Sequence, residues 1–349
     1  MDQNIYSASK NRWDAIAKPI DGLGDLEDLI SRIASIQGKV IPDLSRRALV
    51  VLCADNGVVR EGVSQCGKSV TADVARLLGT GQSSVCVMTK REGIDVIPVD
   101  IGIDSDEIFA GVKNEKVRKG TGDIVSEPAM SQDECEKAMK VGMELMDFCA
   151  EKGYDIVATG EMGIGNTTTA TALLCALVGL RPGEVTGRGA GLSEEGVNHK
   201  TRVIEKVLQY HGLDNGKGII DPTEGRLALQ KVGGLDLAGL AGIFLGGARH
   251  HIPVVIDGLI SAVAALTAEI MEPGTVDCML ASHAGREQGT AYVLKRLNLK
   301  AVIHADLALG EGTGAVMLFP LLTMALSLYR DGIRFADTAI DAYERFEKG

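Results

Sequence analysis

The sequence predicts an α/β protein: a Rossmann-like, mostly parallel sheet covered by helices, with a small helical domain made from the two chain ends. Three observations carry this. Apolar runs at 48–53, 96–101, 156–158, 254–256, 279–281 and 301–303 lack polar alternation, which suits strands buried on both faces. Each run ends in a loop bearing Gly or Asp, and most are followed by a helical stretch, the order of a parallel sheet with crossover helices. Forty-three glycines against nine prolines, clustered in those loops, suit a backbone that must approach a ligand closely.

In chain order, residues 11–17 form a helical turn or two. A helix then starts at Asp25, which can cap it, with Asp28 in its first turn; Leu26, Leu29, Ile30 and Ile33 recur at helical spacing, and Gly38 stops it. The strand-and-helix alternation occupies the middle of the chain. Within it, Ser131 and Glu134 make a capping box, followed by an apolar stripe of Cys135, Ala138, Met139, Gly142, Met146 and Cys149. Residues 336–347 read as a final amphipathic helix. The domains expected are 1–40 with 328–349 as the helical unit, and 41–327 as the large α/β unit.

Composition narrows the function. Lys and Arg number 36 against 47 Asp and Glu in 349 residues, and the net charge of −11 repels nucleic-acid phosphates and anionic membrane surfaces. An anionic ligand must therefore be held by local dipoles and a few placed cations. No charged-then-apolar leader opens the sequence, and the longest apolar stretch, 315–329, is too short to span a bilayer and contains Pro320 and Thr323. A cytoplasmic protein with no membrane or nucleic-acid partner is expected. Seven cysteines, an odd number, show neither CxxC nor Cys/His ligand spacing, which points to buried reduced thiols. The six histidines form no metal-binding pattern; of these only His283 stands at a strand end where it could face a site, and a structural hydrogen bond is the favoured reading.

Four loops stand out. Gly160 to Thr169 (GEMGIGNTTT) joins a strand to an apolar helix: its glycines let N–H groups converge, and Asn166 or Thr167 can cap the helix whose positive end faces an anion. The loop fits phosphate binding, or a plain strand-to-helix turn. Gly187 to Gly191 precedes a helix carrying Lys200, which could reach a phosphate or be a solvated helix lysine. In Gly310 to Gly314, Glu311 is a lone carboxylate among glycines. Desolvation there would raise its pKa toward that of a general base; otherwise it caps the next helix. Gly62 to Ser69 matches a Walker A pattern letter for letter, but Ala54 to Glu61 intervenes after the strand, which is the wrong context for a P-loop. An ATP-dependent kinase using that loop, and a non-catalytic nucleotide-binding protein, are the competing readings.

Taken in order, Ala54 to Val58, Glu61 to Ser64, Gly160 to Thr168, Gly187 to Gly191, Val232 to Gly234, Val254 to Gly258, Ser282-His283 with Glu287, and Gly310 to Gly314 resemble the nicotinate-nucleotide:dimethylbenzimidazole phosphoribosyltransferases of cobalamin synthesis. The resemblance implies transfer of the phosphoribosyl group of nicotinate mononucleotide to a benzimidazole-type base, with inversion at C1′, no cofactor and no metal. It gives Glu311 as the base that takes the N–H proton and puts Glu161 near the reaction centre. It gives Gly163, Ile164, Gly165, Asn166 and Thr167, with Gly189 and Lys200, to the phosphoribosyl group, and Ser64 and Leu309 to the base; it also implies a homodimer. The chain departs from that pattern at Asn56, at Gln65-Cys66-Gly67-Lys68, where an aromatic and a proline are usual, and at Gly285-Arg286, where a small hydroxyl residue is expected. The acceptor could therefore be a modified benzimidazole or another lower-ligand base such as a purine.

Overall fold

The structure, a computed structural model, describes residues 1–67 and 69–345. Six strands form one parallel sheet: β1 (Arg47–Ala54), β2 (Ile94–Gly102), β3 (Lys113–Asn114), β4 (Ile156–Met162), β5 (Val254–Ile256) and β6 (Met279–Ala281), in the order β3-β2-β1-β4-β5-β6. All five pairings are parallel. On β1 the side chains alternate between two cores. Ala48, Val50, Leu52 and Ala54 face a layer containing the Gln132–Lys152, Asn166–Val178, Leu235–His250 and Leu259–Met271 helices. Leu49, Val51 and Cys53 face the Asp25–Gln37 and Thr313–Asp331 helices. Burial on both faces explains why these strands read as unbroken apolar runs. Strand order reverses beside β1, so the C-terminal ends of β1 and β4 open a crevice at the switch point, where ligands of such sheets bind.

The capping box forms as expected: Ser131 N donates to Glu134 Oε2 at 2.8 Å and Glu134 N to Ser131 Oγ at 3.2 Å, opening the Gln132–Lys152 helix. That helix lies against Leu235–His250 with almost no gap, since a Cβ on Gly142 would stand 1.9 Å from the Gly239 carbonyl oxygen.

The structure differs from the sequence reading at five places. The first helix runs Gln3–Asp14, earlier than 11–17, because Asp2 caps it through the Asn4 and Ile5 N–H groups. In Asp25–Gln37 the N-cap is Gly24, not Asp25, and Glu27 accepts the Leu23 N–H instead. The 301–303 run is not in the main sheet: Ser282 turns the chain away after β6, its hydroxyl bonding Ile256 O, and β7 (His283–Ala284) pairs with β8 (Ile303–His304) as a separate ribbon. The short edge strand β3 gave no apolar signal. At the C-terminus the helix expected over 336–347 is replaced by a single turn, Phe335–Asp337, and an irregular segment to Arg345; residues 346 and 347 lie outside the described residues. Ile340 and Tyr343 are more than half exposed, so a helix there would have no core to cover its apolar stripe. Arg345 instead forks onto Asp14 and Asp21.

The chain ends meet. The Trp13 and Tyr329 rings are 4.7 Å apart, and Tyr329 OH donates to Val40 O at 2.7 Å. At 19 residues the Thr313–Asp331 helix is long and apolar enough to cross a membrane by length and composition alone, longer than the 315–329 stretch suggests. More than half of it is buried, with Leu318, Phe319 and Leu322 in the sheet-facing core, as in a core helix.

Candidate active site

A cavity of about 240 Å³ opens at the C-terminal end of β4. One wall is the β4 end and the turn after it: Glu161, Gly163, Ile164, Gly165, Asn166 and Thr167 all line it. The turn is tight because β1 presses on it. A Cβ on Gly163 would meet Ala54 O at 2.3 Å, so only glycine fits. The cap is Gly165, not the expected Asn166 or Thr167: with φ of 94° it reverses the chain and makes no side-chain cap, and the Asn166–Val178 helix begins at the cavity with its positive end inward.

Gly189, on the neighbouring loop, lines the same wall. Lys200 does not. It is buried behind Thr167, with Nζ donating to Thr167 Oγ1 at 2.8 Å and lying 3.5 Å from where a Gly189 Cβ would be. Burial pushes its pKa down to about 8, against the opposing charge of Glu287. It is therefore neither a solvated helix lysine nor a lining residue, but a cation stored directly under the loop.

Ser64, Leu309 and Glu311 line the same cavity. Gly310 and Gly312 have φ of 86° and 81°, and Glu311 itself has φ of 57°, a conformation that non-glycine residues rarely adopt. The Glu311 carboxylate accepts the Val85 N–H at 3.1 Å, in the first turn of the Ser84–Thr89 helix. The loop lies on β4, with the Glu311 carbonyl oxygen 2.7 Å from where a Gly160 Cβ would be. This contact brings the two glutamates singled out in the sequence to one end of one strand.

Glu161 is the more perturbed of the two. Burial, then the charge of Asp236, pushes its pKa up to about 8, while a hydrogen bond from Asn166 opposes the shift. Asp236 itself is raised to about 6 by burial, opposed by hydrogen bonds from Asn166 and the Leu237 N–H.

Residues 1–340 match the phosphoribosyltransferase family. The nicotinate-nucleotide–dimethylbenzimidazole phosphoribosyltransferase of Acetivibrio thermocellus is 40% identical over 335 residues, covering 96% of this chain and 93% of that protein. The enzyme of the same name from Ruminiclostridium cellulolyticum is 39% identical over 346 residues, covering 99% and 96%. The chain belongs to this phosphoribosyltransferase family. The fold agrees with that membership: the crystal structure of CobT from Thermus thermophilus superposes with a TM-score of 0.89 at 36% identity, over 97% of this chain and 99% of that one.

Some cavity residues carry no strong sequence signal. Asp257, after β5, accepts the Ala315 N–H at 2.9 Å, and its pKa is raised by burial against the charge of His283. His283 also lines the cavity and is hydrogen-bonded through Nδ1 to Ser282 Oγ at 2.9 Å, the structural bond its position allowed; burial lowers its pKa, against the charge of Asp257. Glu287 accepts the Gly189 N–H at 3.1 Å and holds the Gly187–Gly191 loop. Of the departures, Gln65, Gly285 and Arg286 line the cavity, while Asn56 is buried behind it, its Oδ1 accepting from Thr169. Gln65 also donates to Gly191 O, tying the segment after Ser64 to the Gly187–Gly191 loop. Lys68 lies outside the described residues. The Walker-like segment follows a 3-10 turn, Gly57–Glu61, rather than leaving β1 directly. Among the described residues no group of three or more His, Cys, Asp or Glu side chains is arranged to hold a metal.

Proposed function

We propose that the protein transfers the phosphoribosyl group of nicotinate mononucleotide to a benzimidazole-type base, releasing nicotinate and forming an α-ribazole 5′-phosphate in cobalamin nucleotide-loop assembly. The observation that carries this is that Glu311 lines the same cavity as the helix N-terminus at Asn166, which is backed by Lys200. The phosphate binds at that helix end, among Gly163, Ile164, Gly165, Asn166, Thr167 and Gly189, with Lys200 supplying charge from behind Thr167. The base lies along Ser64 and Leu309. One nitrogen of the base attacks C1′ from the face opposite nicotinate; the bond from C1′ to the pyridinium nitrogen breaks, its electron pair returning to the ring. Glu311 takes the N–H proton of the base. Attack from the opposite face inverts C1′ from β to α. The cationic ring is already an activated leaving group, so departure needs no acid.

The polar Gln65 in the base-side wall supports an acceptor range that differs from a strict preference for dimethylbenzimidazole. A cytoplasmic homodimer is part of the same reading; exposed Val87, Met88, Met317 and Met324 on the packed Ser84–Thr89 and Thr313–Asp331 helices support a self-contact there, and sedimentation of the purified protein tests it. The reaction itself is tested by incubating the protein with nicotinate mononucleotide and a panel of bases and weighing the products. A new mass equal to base plus phosphoribosyl, with one nicotinate released per product, is expected. Products only when ATP is added would contradict it.

A further inference from the structure

Behind the cavity wall, two buried carboxyl groups share one amide. Asp236 belongs to the first turn of the Leu235–His250 helix, is fully buried and does not line the cavity. Its Oδ1 accepts the Leu237 N–H at 3.0 Å and its Oδ2 accepts from Asn166 Nδ2 at 3.1 Å. The same Asn166 Nδ2 donates to Glu161 Oε2. The other Glu161 oxygen, Oε1, lies 3.3 Å from where a Gly310 Cβ would be, so it faces the loop that carries Glu311. One oxygen of Glu161 is thus tied inward to the Asp236 side, and the other is presented to the site.

The surroundings are acidic. Glu161 is faced by Asp236 from the Leu235–His250 helix, by Asp257 from the end of β5 and by Glu311 from its loop. The Cys53 thiol on β1 is itself pushed well above its usual range by burial and by the charges of Asp100, Glu161, Asp236 and Glu311. Among the described residues, no ion pair reaches Glu161 or Asp236. Two ionised carboxylates without a cation are costly in such a place, and adjacent carboxyl groups relieve the cost by holding one proton between them.

We propose that Asp236 is a positioning residue for Glu161: across the Asn166 amide the pair carries a single proton, with Asp236 keeping the charge and Glu161 presenting a neutral O–H to the sugar. The assignment of the proton follows the environments. Asp236 accepts N–H bonds from Asn166 and Leu237 at a helix N-terminus, which favour its charge, whereas Glu161 is raised further, to about 8. A neutral Glu161 also removes one of the four carboxylates, with Asp257, Glu287 and Glu311, that would otherwise face an anionic nucleotide. Glu311 keeps the acceptor role, and the two glutamates divide acid and base character through their settings. The identity of the sugar rests on the transferase reading; the shared proton does not.

The test is a pH titration of the substrate-free protein carrying ¹³C-labelled Glu and Asp carboxyl groups. One Glu signal should titrate near pH 8 and be absent in Glu161→Gln. In Asp236→Asn it should move down by about one pH unit or more, and Asp236→Glu should restore it. In transfer assays of the same proteins, the fall of kcat at high pH should move down with that signal in Asp236→Asn. A role in packing alone would lower kcat evenly and leave the limb in place. If Asp236→Asn does not fold, Asp236→Ser carries the same test, since it too removes the charge that holds Glu161 high. Absence of any Glu signal titrating above pH 7 in the parent, or an unmoved signal in Asp236→Asn, overturns the proposal. Because the titration uses no substrate, failure of the transferase reading leaves it interpretable.

Discussion

Replacing Lys200 with Met should make the empty protein more stable and the nucleotide bind more weakly. The side chain is fully buried, and its ammonium has one hydrogen-bond partner in Thr167 Oγ1. Its folded pKa of about 8 lies below the unfolded value of about 10.4, so the folded state disfavours the charge. The unfolded chain then binds more protons between those two values, and stability rises with pH across that window; below about pH 8 the full cost is present. The shift corresponds to about 3 kcal/mol. Met keeps the apolar stem and removes the charge, but it leaves Thr167 without its donor, a loss of about 1 kcal/mol. Net stabilisation of about 2 kcal/mol at neutral pH follows, read as a higher midpoint in denaturant unfolding. In the complex the balance reverses, because a phosphate held over Thr167 and Gly189 meets the ammonium charge just beneath that wall; a hydrogen bond to a charged group contributes about 1.5 to 3 kcal/mol, which sets an upper bound of about 10- to 150-fold in affinity. The assay is the ratio of kcat/KM for nicotinate mononucleotide over nicotinate riboside, which cancels effects common to both substrates. In the parent this ratio should fall as pH rises through about 8; in Lys200→Met it should be lower and flat. An unchanged ratio in the variant, or a variant less stable than the parent at pH 7, would refute the reasoning.

Three further outcomes are expected. Gly163→Ala should abolish transfer and destabilise the fold by more than about 1 kcal/mol, because its Cβ would stand 2.3 Å from Ala54 O; native-like activity and unfolding midpoint would show that the turn yields. Full activity should persist in EDTA, since the pyridinium leaves unaided; loss of activity restored by magnesium would favour the Walker-like loop. In a one-tube competition, dimethylbenzimidazole should be preferred over benzimidazole and adenine by less than a few hundred-fold, the discrimination available from about 1 to 3 kcal/mol of pocket contact, and a larger preference would mean that other residues rebuild the apolar wall.

What was legible in the sequence follows from where the energy is local. The strands of the main sheet read directly because both faces of β1 are buried, and the capping box at Ser131 is complete within four residues. The 301–303 run misled because its partner, β7, is set by the turn at Ser282 rather than by its own composition. The C-terminal segment carries helical spacing with nothing to bury it against, a property of the surrounding surface. In the site, the glycine loops announced Glu161 and Glu311, since close backbone approach requires glycine whatever the partner. Asp257 and Glu287 entered only as members of the resembling segments, with no role of their own, and Asp236 was given none. Each is a common residue whose role depends on a neighbour distant in the chain, His283 for Asp257, Asn166 for Asp236 and Gly189 for Glu287. Lys200 was readable as a candidate, but only the packing shows that it sits behind Thr167 rather than in the cavity.

The measurement that bears most directly on the central claim is the comparison of the parent with Glu311→Gln in single-turnover transfer, alongside calorimetric binding of nicotinate mononucleotide. The amide keeps the shape of the side chain and one acceptor for the Val85 N–H, so nucleotide affinity should stay within a few-fold. Transfer should slow by roughly 100-fold or more, because general-base assistance is worth about 10² to 10⁴. Transfer within a few-fold of the parent, with binding intact, would remove Glu311 from the chemistry and contradict the mechanism.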